Sequence, residues 1–338
     1  MRLAVVLLNL GGPDRPEAVQ PFLKNLFSDP AIIDLPAIVR APLAGVIAAR
    51  RAPAARANYD LLGGGSPLLP ETRRQAAALQ TVLRSRLPSD EVRVFIAMRY
   101  WTPMAEETAA EVAAFGPDEV VLAPLYPQFS TTTTASSVKA WRDAYQGPGG
   151  QRTLCCWYAN EGLVDGHVAL IRKTWEAAGG PKARLLFSAH GVPERVIARG
   201  DPYQWQVERT CEAVVARLGE GWDWRICYQS RVGPLKWLGP STPEAIAEAA
   251  RDGVGVLVVP VAFVSEHVET LVELDRDYAQ IARGLGVPYL RVPALGTEPL
   301  FIGGLASAVE RALGGVGVTA DGSRCPGAFA GCGQRGRG

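Results

Sequence analysis

Short apolar runs alternate along the chain with stretches in which apolar residues recur at spacings of three and four. The runs are Leu3–Leu8, Val92–Ala97, Val120–Ala123, Thr153–Tyr158, Arg184–Ser188, Trp224–Tyr228, Gly255–Pro260 and Tyr289–Val292. Their length and unbroken apolar character predict strands buried on both faces. Between them, segments such as AEETAAEVAAF and STPEAIAEAARD carry the helical period. Strand, helix, strand in this alternation predicts an α/β protein with parallel sheets flanked by helices.

The eight runs fall into two sets of four with matching landmarks. VVLLNLGGP at 5–13 answers RLLFSAHGVP at 184–193, and VVLAPLYPQFSTTTT at 120–134 answers VLVVPVAFVSEHVET at 256–270. The pattern predicts two similar Rossmann-like domains, each with a four-stranded parallel sheet, over 1–160 and 161–312, followed by a Gly-rich tail at 313–338. Ligands of open parallel sheets bind at the carboxyl ends of the strands, so the loop sets would face a cleft between the domains. The first half carries an extra segment at about 20–70, where Ile38, Pro42, Val46 and Ile47 accompany Arg50, Arg51 and Arg56. It reads either as a helix packed on the core or as a lip that touches membrane through apolar and basic residues.

Composition narrows the function classes. Of 338 residues, 48% are hydrophobic, enough for one large or two medium cores. A net charge of +1 gives no case for nucleic acid. No apolar run reaches the roughly 20 residues that span a bilayer. The apolar N-terminus is short for a signal peptide and lacks a small-residue cleavage site, so a cytoplasmic protein is expected. LGGP and LGGGSP fit neither GxGxxG nor a P-loop, so no nucleotide cofactor is expected, and GGGSP reads as a tight turn before a helix.

Only three histidines are present, His167, His190 and His267. His190 ends a strand, at the position where ligands bind. The matching loop two strands later supplies Glu266, His267, Glu269, Glu273 and Asp277. Glu269, Glu273 and Asp277 are spaced i, i+4, i+8 and would line one helix face, where like charges repel unless a cation or proton separates them. A solvated acidic face is the plainer reading. Against it, the acids begin directly at the end of an apolar strand. A histidine with carboxylates can hold a divalent metal or move protons. Aromatic residues at strand ends, among them Tyr126, Trp237 and Phe263, suggest a flat apolar ligand, and Arg99 offers donors to anionic groups.

Seven motifs in order carry a resemblance: LLNLGGP (7–13), YDLLGGGSPL (59–68), MRYWTP (98–103), YPQFSTTTTASS (126–137), FSAHGVP (187–193), YQSRVGPLKWLGP (228–240) and VAFVSEHVETLVELD (261–275). Over residues 1 to about 312 the chain resembles the ferrochelatases, which insert ferrous iron into a porphyrin to make haem. The resemblance implies the class II chelatase-like fold, with two similar α/β domains around an active-site cleft. It implies Fe2+ as substrate and protoporphyrin IX as its partner, with His190 and Glu269 as the catalytic and metal-contacting pair. His267, Glu273 and Asp277 continue an acidic path for protons or metal, Asp277 standing where many relatives have glutamate. Tyr59, Arg99, Tyr126, Trp237 and Phe263 match residues around the macrocycle. The segment IIDLPAIVRAPLAGVIAARR resembles the lip at the site's mouth, which allows peripheral contact with the inner face of the membrane.

Some ferrochelatases carry a [2Fe–2S] cluster on C-terminal cysteines plus one from mid-chain, and such a cluster takes four thiolates. Cys155 and Cys156, if on one strand, would point to opposite faces, so only one could reach. With Cys325 and Cys332 that leaves three candidates, Cys156, Cys325 and Cys332, one short of the set. The other reading is a flexible tail with two thiols. Cys211 and Cys227 read as core. Two rival functions remain: a chelatase for coproporphyrin or another metal, and a two-lobed protein that holds a tetrapyrrole without turnover. A zinc hydrolase is weaker, since SEHVE is not HExxH.

Overall fold

The computed structural model describes residues 1–231, 233, 235–314 and 325–333. The chain divides into two compact units. The first holds Met1–Cys156 and the chain from Ala306, and the second holds Trp157–Leu305 with the described tail.

The first unit is built on strands β1 (Arg2–Asn9), β2 (Glu91–Met98), β3 (Glu119–Pro124) and β4 (Gly150–Thr153), all parallel in the order β2-β1-β3-β4. The second repeats that order with β5 (Ala183–His190), β6 (Trp224–Gln229), β7 (Gly255–Pro260) and β8 (Tyr289–Arg291), as β6-β5-β7-β8. The central strands β1 and β5 are buried nearly throughout, because helices cover both faces. Apolar clusters lie on either side of the second sheet, one around Phe187, Val207 and Leu257, the other around Leu186, Ile246 and Leu274.

One strand differs from expectation. The apolar run Thr153–Tyr158 is not β4. The strand is the polar segment Gly150–Thr153 just before it, at the sheet edge. Leu154, Cys155, Cys156, Trp157 and Tyr158 are all buried past the end of β4, with Leu154 N still donating to Leu122 O of β3 at 2.9 Å and Cys156 in a lone β-bridge. Burial explains their apolar character, and Cys155 and Cys156 lie past the end of β4 rather than within it.

Helices appear where the period placed them, at Ala105–Phe115 and at Thr242–Arg251. The latter starts on a capping box, in which the Ser241 hydroxyl accepts from Glu244 N and Glu244 accepts from Ser241 N. The GGGSP turn does precede a helix, Leu68–Arg86. It also packs against the LGGP loop, where a Cβ on Gly12 would lie 2.5 Å from Ser66 Oγ. The extra segment includes one long helix, Ala37–Asp60, which leaves Ile38 86% and Val46 51% exposed. No helix among the described residues is long and apolar enough to cross a membrane.

Of the expected tail, residues 315–324 and 334–338 lie outside the described residues. The described part is packed: Gly331 N donates to Gly200 O at 2.9 Å, and Phe329 lies 5.7 Å from the Trp205 ring. His167 sits in the helix Glu161–Ala177, fully buried. Burial pushes its pKa down to about 4, and the Val261 backbone offsets only part of that.

Candidate active site

The second unit gathers its chemistry at the carboxyl ends of β5, β6 and β7. His190 is the last residue of β5 and is in register with Gln229, the last residue of β6. Tyr203 OH donates to the His190 carbonyl at 3.1 Å. The next residue must be glycine, because a Cβ on Gly191 would lie 2.8 Å from the Gln229 carbonyl oxygen.

After β7 the chain turns through 261–268 and enters a π-helix, Glu269–Tyr278. An α-helix was the expectation there. In a π-helix the backbone bonds run i to i+5, and such turns are rare and concentrate at functional sites. Four residues apart, Glu269 and Glu273 stay close to the same side of it. His190 Nδ1 and Glu269 Oε2 are 2.8 Å apart, with the two side chains 39% and 24% exposed. Glu273 Oε2 accepts from Ser230 Oγ at 2.8 Å, from Tyr278 OH at 3.3 Å and from Gln229 Nε2 at 3.4 Å. Gln229 Nε2 also donates to the Glu269 carbonyl at 2.8 Å, while its Oε1 accepts from Ser188 at 2.8 Å. Ser230 holds a positive φ of 62°, the only non-glycine to do so among the described residues.

These contacts set the charges. Burial opposes the ionised form of Glu269, but the charge and hydrogen bond of His190, the charge of His267 and the Ser230 hydroxyl hold its pKa down to about 2. Burial works against a protonated His190, yet Glu269 outweighs it with help from Glu273, and the pKa rises. Glu273 is pushed up to about 7, first by burial and then by the charge of Glu269. The site therefore holds one firmly ionised carboxylate, one strengthened base and one carboxyl that exchanges its proton near neutral pH.

The other expected residues of the acidic loop separate by role. Glu266 is tied to Arg291 and accepts from Ala294 N at 2.9 Å, so it anchors the loop. Arg291 also pairs with Asp275. His267 stacks edge-on against Phe263 with ring centroids 4.6 Å apart, and burial lowers its pKa. Phe263 in turn lies 6.4 Å from the His190 ring. Asp277 is exposed farther along the π-helix. Trp237 bridges to Pro193, and its Nε1 is buried without a hydrogen-bond partner among the described residues.

Tyr59, Arg99 and Tyr126 belong to the first unit. Tyr59 is buried at the end of the long helix, and Tyr126 OH lies 3.4 Å from Ser137 Oγ. Arg99 donates from Nη2 to Asp29 Oδ2 and from Nε to Ser136 Oγ, each at 2.7 Å. Cys156 is buried, and Cys325 Sγ accepts from Gln206 Nε2 at 3.0 Å. Among the described residues no group of three or more His, Cys, Asp or Glu side chains is arranged to hold a metal ion.

Ser230, Gln229, Tyr278, Arg291 and Asp29 carry the supporting contacts and were not assigned roles from sequence. Ser230 and Gln229 had a signal, since both stand directly at a strand end within YQSRVGP. The others became visible only through the partners they meet in three dimensions.

A family model for ferrochelatase matches residues 2–313. The ferrochelatase of Phenylobacterium zucineum is 60% identical over 338 residues, covering 99% of this chain and 98% of its own. That of Caulobacter vibrioides (strain NA1000 / CB15N) is 58% identical over 337 residues, covering 96% and 97%. The chain belongs to the ferrochelatase family. It is by that membership a metal chelatase of the lyase class, in haem synthesis. Solved chelatases share the fold. SirB from Bacillus subtilis with Fe3+ matches at TM-score 0.55 and 13% identity, over 92% of this chain and 96% of its own. CbiX, described as the terminal enzyme of siroheme biosynthesis in denitrifying bacteria, matches at 0.51 and 17%, over 91% and 98%. The two-sheet α/β architecture expected from the sequence is the one these ferrochelatase-family and chelatase relationships support.

Proposed function

We propose that this chain inserts Fe2+ into protoporphyrin IX to give protohaem, with both metal and porphyrin as substrates. The observation that carries the reading is the His190–Glu269 pair, at 2.8 Å, at the end of the second sheet's central strand. Insertion exchanges two pyrrole protons for one Fe2+, so the site needs a base and a route for protons. With Nδ1–H donated to Glu269, a neutral His190 presents Nε2 as the acceptor. Its raised pKa strengthens that base, and the ionised Glu269 stabilises the imidazolium that forms. Glu273, near 7, is suited to take the proton onward at neutral pH. Glu269 with His190 also provides the contact that strips water from the iron, and His267, Glu273 and Asp277 form the polar route. Tyr59, Arg99, Tyr126, Trp237 and Phe263 contact the macrocycle, which is favoured in a non-planar shape that exposes its nitrogen lone pairs.

The test is anaerobic turnover with ferrous iron and protoporphyrin over many equivalents. Multiple turnovers are expected, and a change that stops at one equivalent would mean a binding protein. Coproporphyrin and other divalent metals run beside it establish preference. His190→Ala is expected to lower insertion by about 10²- to 10⁴-fold, the usual worth of a general base, with porphyrin binding retained. Glu269→Gln is expected to lose rate as well. Wild-type turnover in the His190 variant would sink this mechanism.

A [2Fe–2S] centre would draw on Cys156, Cys325 and Cys332. The donor chemistry suits such a cluster, but three thiolates fall short of four. The fit is therefore incomplete, and no step of the reaction is derived through it. Iron and acid-labile sulfide content of anaerobically purified protein decides the matter directly. For location, we read the chain as cytoplasmic and peripheral on the inner face of the membrane. The support is the apolar edge of the helix Ala37–Asp60, where Ile38, Val39, Leu43 and Val46 are exposed beside Arg50.

A further inference from the structure

Asp29 follows the helix Val19–Ser28 and is only 4% exposed. A buried carboxylate costs stability unless donors surround it. Asp29 has four: Ala31 N at 2.8 Å on Oδ1, and Arg99 Nη2 at 2.7 Å, Tyr100 OH at 2.8 Å and Ser136 Oγ on Oδ2. Burial would raise its pKa, but these partners together lower it, so the group is a fixed anion.

The consequence falls on Arg99. Its guanidinium spends Nε on Ser136 and one Nη2 hydrogen on Asp29, and its carbon lies 4.9 Å from the centroid of the Tyr100 ring. One edge of the planar fork is thereby locked. Arginine carries five N–H donors in a rigid array that matches a carboxylate. Nη1 has no hydrogen-bond partner among the described residues, and the side chain is 21% exposed. The arginine is held on one edge and open on the other. Such preorganisation removes the rotamer cost that a loose arginine meets on binding.

We propose that Asp29 is a positioning residue, holding Arg99 as a receptor for a carboxylate of the porphyrin substrate. The inference rests on the porphyrin reading of the site and adds the substrate group that Arg99 recognises. Asp29 itself touches no substrate, and Ser136 and Tyr100 complete the brace.

Equilibrium binding tests this without turnover. Porphyrin fluorescence titrations would compare protoporphyrin with its dimethyl ester, which keeps the ring and loses both negative charges. Wild type is expected to bind the acid about tenfold more tightly than the ester, the scale of one charge-assisted hydrogen bond. Arg99→Gln and Asp29→Asn should each reduce that ratio to near one, mainly by weakening the acid and leaving the ester within about twofold. A merely structural role for Asp29 would weaken both ligands alike, and that result overturns the proposal. So does full acid preference in either variant. Where Asp29→Asn does not fold, Ser136→Ala removes a single brace and should lower the ratio part-way, and an unchanged ratio counts against the idea. Failure of iron insertion with acid preference intact would strike the proposed activity and leave this assignment standing.

Discussion

At the scale of single residues, the site works through opposed environments. Glu269 and Glu273 are both carboxylates on one helix, yet one is held near 2 and the other near 7. The first has an imidazole partner, and the second is buried with the first as its neighbour. This gives a stability signature. The folded pKa of Glu273 lies above the ordinary 4.5, so the folded state binds its proton more tightly than the unfolded chain does. Stability linked to Glu273 is fully present below pH 4.5 and is lost as pH rises through about 7. Glu273→Gln removes that loss. We expect the variant to match wild type in unfolding free energy near pH 4.5 and to exceed it by about 2 kcal/mol near pH 8, at roughly 1.4 kcal/mol for each tenfold change in proton affinity with a discount for partial exposure. Its insertion rate should fall. Calorimetry across that pH range checks the first statement, and a constant gap would refute it. His190 and Glu269 were legible from sequence because a strand end and a motif marked them. Asp29 was not, because nothing local announces that it meets Arg99, 70 positions away.

At the scale of elements, seven of the eight expected runs lie wholly or largely within observed strands, since continuous burial leaves a strong apolar signal. β4 failed for the same reason in reverse. It is a polar edge strand, and the apolar run that follows it is buried past the strand's end. The π-helix was invisible because periods of 3.6 and slightly more are indistinguishable over ten residues. The spacing along it nonetheless has a measurable effect. Removing one residue from an α-type helix rotates the downstream side chains by about 100°. Deleting Leu271 leaves Glu273 three residues after Glu269 instead of four and turns its carboxylate away from Glu269 and Ser230. We expect native-like circular dichroism with insertion lowered by about 100-fold or more, as misplacement of about 1 Å in a site can do. Retained activity would show that insertion does not depend on this spacing.

At the scale of the whole molecule, the duplication read from sequence reappears as the same strand order in each sheet. The chemistry is not duplicated. Where β5 ends in His190, β1 ends in Asn9, whose amide donates to Thr72 Oγ1 at 3.0 Å. The surface is also unequal, since the exposed apolar edge at Ile38 and Val46 belongs to one half. That edge leads to an expectation about partitioning. The protein should co-sediment with vesicles of anionic lipid more than with neutral ones, and Ile38→Glu with Val46→Glu should release it. Equal recovery of the double variant on vesicles would remove the helix from the contact. The segment was legible as an insertion rich in apolar and basic residues that could form a helix, whereas the helix's 24-residue length was not, because Pro42 and Pro53 both argue locally for a break.

The buried imidazole of His167 bears on the meaning of any rate profile. The unfolded chain takes up a proton near pH 6.5 that the folded core refuses until about 4. Stability is therefore present above 6.5 and drains away as acid is added, by up to about 3 kcal/mol from this residue alone. A falling assay signal on the acid side then combines two events, titration of the reacting groups and loss of active molecules. Circular dichroism recorded at each assay pH separates them, because loss of folded molecules moves that signal and titration of the reacting groups does not.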